Sequence, residues 1–384
     1  MKIKSKGFKS LMSILVLLGI CMSAVGQSKD FESELKKITD KYEAVGLAIV
    51  VVKKGKPIYE KAFGYKDLNS KEPLTTNDLF RIASISKSFS STAIMQLVEQ
   101  GKVSLDDDIS ELVGFKVRNP KYPDTKITLE MMLSHRSSIN DSNGYFTFDV
   151  LDTTKNKDWE KSYNNYEPGT DYEYCNLNFN MIGAVLERLT HVRFDNYIKQ
   201  QILNPLKLDA GYCVDSLDQK RFAKLYEREG NSYTEQPAAY NPRSEEIKNY
   251  TMGVSTPVFS PTGGMKISAH DLAKYMLMHM NYGKSGKVKI LDPLSSKKMQ
   301  HGLSPKENYG LALLENNRLI EGEHMVGHTG SAYGLYSNMF FEPDKKFGFI
   351  VITNGCIPTL DRNEDIQMSK EVINLLYKDF ISKK

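Results

Sequence analysis

The sequence predicts a mixed α/β (α+β) fold: an antiparallel sheet flanked by terminal helices, with an inserted, mainly helical region. Three observations lead there. Strand-like apolar runs with hairpin punctuation occur near both ends of the chain, at Leu47 to Phe63 and at Tyr336 to Thr353. The stretch between them, about 105–260, reads mostly as helix and loop. Outside the strands, Phe31 to Tyr42 reads as a polar helix covering a sheet, and Ile366 to Phe380 as an amphipathic closing helix. Strands at both ends with helices between them imply one sheet assembled from both termini. A chain of 384 residues, 40% hydrophobic and 26% charged, has the length and composition for a large buried core.

The first 26 residues read as a secretory signal. Lys2, Lys4, Lys6 and Lys9 precede an apolar run from Leu11 to Met22, and Ala24-Val25-Gly26 offers small residues for cleavage, leaving Gln27 first. The run is short for a membrane span. A lipoprotein anchored at Cys21 is the rival reading, and Ile20 fits poorly before a lipidated cysteine. Residues 27–384 then form one domain, periplasmic or secreted, with no stable membrane insertion.

Leu47 to Val52 is a short apolar strand, which Lys54-Gly55 turns into Pro57 to Phe63. Thr75-Thr76-Asn77-Asp78 fits a helix-capping box before Leu79-Phe80. Ser86 to Glu99 has helical spacing at Phe89, Ala93, Ile94 and Leu97, and Gly101 ends it. Further helices are expected over Thr128 to His135, Leu177 to Leu189 and Phe194 to Leu203. Hairpins or a flap are expected from Phe222 to Thr251. Ser268-Ala269-His270-Asp271 caps a helix through Met280.

Charge narrows the partners. The formal +4 is carried by the four leader lysines; the remaining 47 basic residues balance 47 acids. A neutral chain has no electrostatic reason to bind nucleic acid or an anionic membrane. Past Cys21, the three cysteines Cys175, Cys213 and Cys356 argue against a disulfide framework, although a single Cys213–Cys356 bridge stays open. The seven histidines show no zinc spacing, and no metal or cofactor is implied.

Three constellations carry chemistry. Ser-x-x-Lys occurs at Ser33/Lys36, Ser84/Lys87 and Ser295/Lys298, but only Ser84 sits where an apolar stretch enters a long apolar helix. Lys87, three residues on, shares its helix face. A serine hydroxyl needs an adjacent base, and a lysine serves only when burial or a nearby cation lowers its pKa. Tyr174-Cys175-Asn176 precedes a helix; a tyrosine relays a proton if an ammonium helps stabilise the tyrosinate, and Asn176 can hydrogen-bond both substrate and Lys87. The similar Tyr163-Asn164-Asn165 lies in a polar loop. His328-Thr329-Gly330-Ser331 lies before strand-like residues. Gly330 leaves room for substrate along the strand edge, and the N–H of Ser331 pairs with that of Ser84 as an oxyanion hole. Pro261-Thr262-Gly263 resembles this third motif and is read as incidental. An aromatic group, Tyr145, Phe146, Phe148, Trp159, Tyr163 and Tyr166, either rims the site or packs in the helical region.

In this order, and with their flanks, the three motifs closely resemble the serine β-lactamase/penicillin-binding protein family, in its class C-like branch with D-aminopeptidases and esterases. Phe63-Gly64-Tyr65 through Pro73-Leu74-Thr75, Leu133 to Ile139, Pro168-Gly169, Asn204-Pro205-Leu206 and Gly263-Gly264 to Asp271 resemble that family's segments, so the resemblance runs from about Leu47 to Gly355. It implies a β-lactamase-like fold with Ser84, Lys87 and Tyr174 catalytic, and Asn176, His328, Thr329, Gly330 and Ser331 binding substrate. The departures are Ser138 where glycine is usual, Cys175 where serine or alanine is common, and His328 in place of a lysine cation. The last weakens the clamp on a substrate carboxylate. His135 is read as structural. The function expected is an exported serine hydrolase that acts through an acyl-enzyme on a small amide, D-amino-acid peptide or ester. An acyltransferase and a penicillin-binding sensor without turnover are the alternatives.

Overall fold

The apolar run starting at Gly46 becomes a central strand of the molecule's large sheet. The structure, a computed structural model, describes residues 30–304, 306–362 and 365–383. The leader, with Cys21 and the Gln27 start, lies outside them. Seven strands form the sheet: β1 (Gly46–Lys53), β2 (Lys56–Asp67), β3 (Glu72–Pro73), β4 (Leu314–Asn316), β5 (Met325–Ala332), β6 (Leu335–Glu342) and β7 (Phe347–Thr353). Their order is β4-β5-β6-β7-β1-β2-β3, with antiparallel pairing throughout. β1 pairs with β7, so the two ends of the chain meet in mid-sheet. Lys54 and Gly55 both have positive φ, 53° and 68°, as a tight two-residue hairpin between twisted strands requires.

Strand alternation divides β1 between two cores. Leu47, Ile49 and Val51 face the terminal helices α1 (30–41) and α5 (Gln367–Leu376), packing with Phe31, Leu35, Val372 and Leu376. Ala48, Val50 and Val52 face the larger core, which contains α2 (Ser86–Glu99), α3 (Asn176–Thr190) and α4 (Ala269–Met280). Both faces are covered, which explains why β1 reads as a continuous apolar run rather than an alternating one.

The helix over Ser86–Glu99 forms as predicted, and Ser268 caps α4 by accepting the Asp271 N–H. Several elements differ from expectation. At the first capping box, Asp78 accepts from the Thr75 N–H and hydroxyl, but a short strand, Phe80–Arg81, follows instead of a helix. That strand pairs with Lys266–Ile267, a tertiary contact that overrides the local signal. The helix expected over Thr128 to His135 is only Leu129–Leu133. The His328 motif does precede the expected strand, Leu335–Glu342, but itself lies within a strand, β5, whose glycines and polar residues hide the period. Tyr226–Glu229 and Ser232–Glu235 form the expected hairpin in the 222–251 region. Cys175, Cys213 and Cys356 are free and buried, so the Cys213–Cys356 bridge does not form. Among the described residues, no helix is long and apolar enough to cross a membrane.

One buried acid ties the inserted region together. Glu187, on α3, accepts hydrogen bonds from the N–H groups of Phe194 and Gly253 and the hydroxyls of Tyr250 and Thr256. It thereby fixes the segment leading into Ser260–Gly263. Truncation strands several buried donors at once. Glu187→Ala is expected to cost about 3 kcal/mol or more in denaturant unfolding, whereas an exposed acid such as Glu245, changed to Ala, should have little effect.

Candidate active site

Ser84 lies on a single 3₁₀ turn, Ala83–Ile85, that opens directly into α2. Ala83 sits at φ +48°, a left-handed conformation that costs a non-glycine residue about 1 kcal/mol or more. The surroundings enforce it. On one side, the Ile82 N–H donates to the Met265 carbonyl. On the other, the Ser337 hydroxyl donates to the Ile82 carbonyl at 2.9 Å. Gly330 of β5 backs against the same carbonyl, and a Cβ there would lie 2.2 Å from its oxygen. Gly330 is therefore required for close packing of β5 on the Ser84 turn. That role corrects the expectation that it makes room for substrate, since the alternation of β5 turns Thr329 and Ser331 outward and Gly330 inward.

Lys87 is completely buried, one helical turn beyond Ser84. Its Nζ lies 3.1 Å from Ser84 Oγ, 2.9 Å from Asn176 Oδ1 and 3.0 Å from the Thr262 carbonyl oxygen. It also sits 4.6 Å from the centre of the Tyr174 ring. Burial pulls Lys87 down to about 7, partly opposed by the charge of Asp141. The Tyr174 hydroxyl is buried beside Ser84 without a hydrogen-bond partner of good geometry, and burial pushes it well above its ordinary value. These directions run against a tyrosinate at position 174. Desolvation dominates at both groups, so the tyrosine keeps its proton and the lysine titrates near neutrality.

His328 holds no charge. Burial, with Lys87 nearby, pulls its imidazole down to about 3. Its Nδ1 contacts the Thr329 carbonyl, which only accepts, so Nδ1 carries the proton. Nε2 then accepts from the Tyr309 hydroxyl at 2.8 Å. Both ring nitrogens are thus engaged within the protein, while Thr329 and Ser331 line the cleft.

Two residues essential to this geometry escaped the sequence reading. Thr262, from the tripeptide read as incidental, supplies a carbonyl to Lys87 and donates its hydroxyl to Asn176 Oδ1 at 2.8 Å. Asp141 accepts from the N–H of Asn176 and of Leu177, the Asn176 side-chain amide and the Cys175 thiol. It caps α3 from 35 residues away and fixes the amide of Asn176 with its oxygen toward Lys87. Only the nearness of Asp141 to the Leu133–Ile139 segment hinted at it. The decoy pairs are accounted for: Lys36 bonds Asp40 on the surface, and Lys298 pairs with Glu130. The aromatic group divides, with Tyr145 and Phe146 lining the cleft and Phe148 and Tyr163 buried in the core.

Around these groups opens a cleft of about 890 Å³, lined by Ser84, Tyr174, Asn176, Thr262, Thr329 and Ser331, among others. The Beta-lactamase family model matches residues 31–371, nearly the whole described chain. The chain belongs to the Beta-lactamase family. "Protein flp" of Staphylococcus aureus (strain N315) is 25% identical over 344 residues, covering 85% of this chain and 64% of that protein, so the chain spans somewhat less than two thirds of that relative. The octameric penicillin-binding protein homologue from Pyrococcus abyssi superposes with a TM-score of 0.73 at 25% identity, over 91% of this chain and 77% of the other. The D-amino acid amidase from Ochrobactrum anthropi SV3 gives 0.69 at 20% identity, over 91% and 98%, a likeness of fold.

The departures from the family pattern have local explanations. Ser138 is buried at φ +62°, the conformation for which glycine is the unstrained choice, and its hydroxyl accepts from Asn119 Nδ2 at 3.0 Å. Cys175 puts a thiol donor, rather than a hydroxyl, on Asp141, and its N–H donates to Nδ1 of the buried His135. His135 is thus a structural acceptor, and burial keeps it neutral.

Asp141 is linked to Lys87 through the side chain of Asn176. Its charge favours the ammonium, so Asp141→Asn should lower the Lys87 pKa further and move the acid limb of the kcat/KM profile to lower pH. A merely structural residue would lower the rate without moving that limb. Rates measured from pH 5 to 9 on the purified variant decide between the two.

Proposed function

We propose that the protein is an exported serine hydrolase of small amides, D-amino-acid peptides or esters that works through an acyl-enzyme on Ser84. One observation carries the reading. A neutral lysine has two N–H bonds and one lone pair. At Lys87 the Asn176 Oδ1 and the Thr262 carbonyl can only accept, so they take the two N–H bonds. The lone pair is left for the Ser84 hydroxyl, 3.1 Å away. That is the hydrogen-bond pattern of a general base and its nucleophile.

In this reading Ser84 Oγ bonds to the substrate carbonyl carbon as its proton passes to Lys87, and the carbonyl electron pair moves onto oxygen. The N–H groups of Ser84 and Ser331 face that oxyanion. Tyr174, still protonated, gives its proton to the departing nitrogen or oxygen, and the Lys87 ammonium replaces it. In the second half a water adds to the acyl carbon, gives its proton to Lys87, and Ser84 Oγ leaves with a proton. Asn176 and Thr329 hold the substrate, and His328 positions β5 and Tyr309. The basic and apolar leader over residues 1–26 supports export.

A fluorophosphonate probe should add covalently to Ser84 and fail to label Ser84→Ala; labelling of the alanine variant at the same rate would overturn the assignment. Hydrolysis with multiple turnovers separates this reading from a sensor that acylates once.

Two further outcomes follow from the titrations. Activity needs neutral Lys87, so kcat/KM should rise with pH through about 7 and level off above it. Tyr174→Phe keeps the ring and should lower kcat by about 10²–10⁴-fold with little change in KM. Retention of most wild-type turnover by that variant would make Tyr174 a packing residue.

A further inference from the structure

We propose that a smaller cavity adjoining the cleft is a carboxylate subsite, formed by Arg81, Lys266 and Arg243, that selects substrates with a free acid group. The inference rests on the acyl-enzyme reading and narrows its substrate class. The cavity, about 250 Å³, shares Arg81, Phe146, Ser260 and Tyr333 with the cleft, so a molecule on Ser84 can reach into it. Its lining carries Arg81, Lys266 and Arg243, with no carboxylate among its described residues.

Two of the three basic groups, Arg81 and Lys266, have no carboxylate in an ion pair among the described residues. Lys266 is 5% exposed, and its Nζ bonds a single acceptor, the Tyr212 carbonyl at 2.8 Å. With the amine neutral one further N–H is left, and two once a bound anion restores the ammonium. Arg81 spends Nε on the Gly263 carbonyl and makes a long contact, 3.4 Å, to Ser260 Oγ; Tyr333 also interacts with its guanidinium, which lies 4.9 Å from the ring centre. No carboxylate among the described residues pairs with it. Arg243 pairs with Glu246, and Asp215 is occupied by the Arg243 N–H and the Ser244 hydroxyl. Burial, with Arg81 and Arg243 close by, holds Lys266 well below its usual range. Buried cations are ordinarily paired, because an unpaired one is costly. Here Arg81 and Lys266 instead flank a space open to the cleft, with the more exposed Arg243 at its edge.

The placement also answers a deficit. Neutral His328 leaves β5 without a cation for a substrate acid. Arg81 lies three residues before Ser84, on the strand that feeds the nucleophile turn, so an anion bound there is in register with the reacting carbonyl. The acids of the cleft, Glu227 and Glu307, do not line this cavity.

The test uses the purified chain and matched esters. One pair places the carboxylate on the acyl side, p-nitrophenyl 4-carboxybutyrate against p-nitrophenyl valerate; a second places it on the leaving group, 4-carboxyphenyl acetate against phenyl acetate. At least one carboxylated ester should be preferred about tenfold in kcat/KM, mainly through KM, as a desolvated charge pair allows. Lys266→Met and Arg243→Gln should reduce that preference to about threefold or less. The ratio of the two esters is read, so a general loss of folded enzyme cancels. No preference in either wild-type pair overturns the proposal, as does a preference that survives both substitutions. Calorimetry of glutarate against the Ser84→Ala chain needs no turnover. Binding that is lost when Lys266→Met is added supports the subsite even if Ser84 proves not to be the nucleophile, and no binding at millimolar glutarate overturns it.

Discussion

Lys87 is shut away from water, and the site is arranged around that fact. In bulk solvent its ammonium would be a permanent cation and no base. Inside the protein, desolvation brings the proton within reach of release near neutrality, while Asp141 stops the shift from going further. The two acceptors, Asn176 Oδ1 and the Thr262 carbonyl, then decide which way the lone pair points. The same burial acts in the opposite sense on Tyr174, which keeps its proton. Lysine and tyrosine are driven toward their neutral forms by a single physical cause acting on groups of opposite charge type.

Such an arrangement demands rigidity, and the fold supplies it from three directions. The strand pair Phe80–Arg81 with Lys266–Ile267 holds the approach to Ser84. Strand β5, with Gly330 pressed against the Ile82 carbonyl, holds its back. Asp141 clamps the start of α3 and with it Asn176. The left-handed Ala83 marks where these restraints are held as local strain beside Ser84. Replacement of a cationic lysine by neutral His328 fits the same scheme: a second ammonium close to Lys87 would push its pKa lower still, whereas a neutral imidazole bonded to Tyr309 does so far less.

Much of the fold was legible because its signals are local. The apolar periodicity over Ser86–Glu99, the Lys54-Gly55 hairpin and the Ser268 cap each depend on neighbours within a few residues. The Thr75–Asp78 box misled for the same reason: its hydrogen bonds form, but pairing with Lys266–Ile267 chose a strand over a helix. Strand β5 was hidden because Gly327, Gly330 and the polar residues between them break the alternation, although the sheet buries it from Met325 to His328.

The sequence by itself determined the order of chemical groups: a serine and a lysine on one helix face, a tyrosine at a helix start, a small-residue motif near the last strands, and a basic leader. Those are properties of spacing, and spacing survives without coordinates. Only the tertiary structure decided which groups are desolvated and which bonds they exhaust. It made Thr262 a partner of Lys87, 175 residues away, brought Asp141 under α3, and engaged both nitrogens of His328. The physical reason is that a pKa or a proton's direction depends on every dipole within a few ångströms. In this site those dipoles come from segments far apart in the chain.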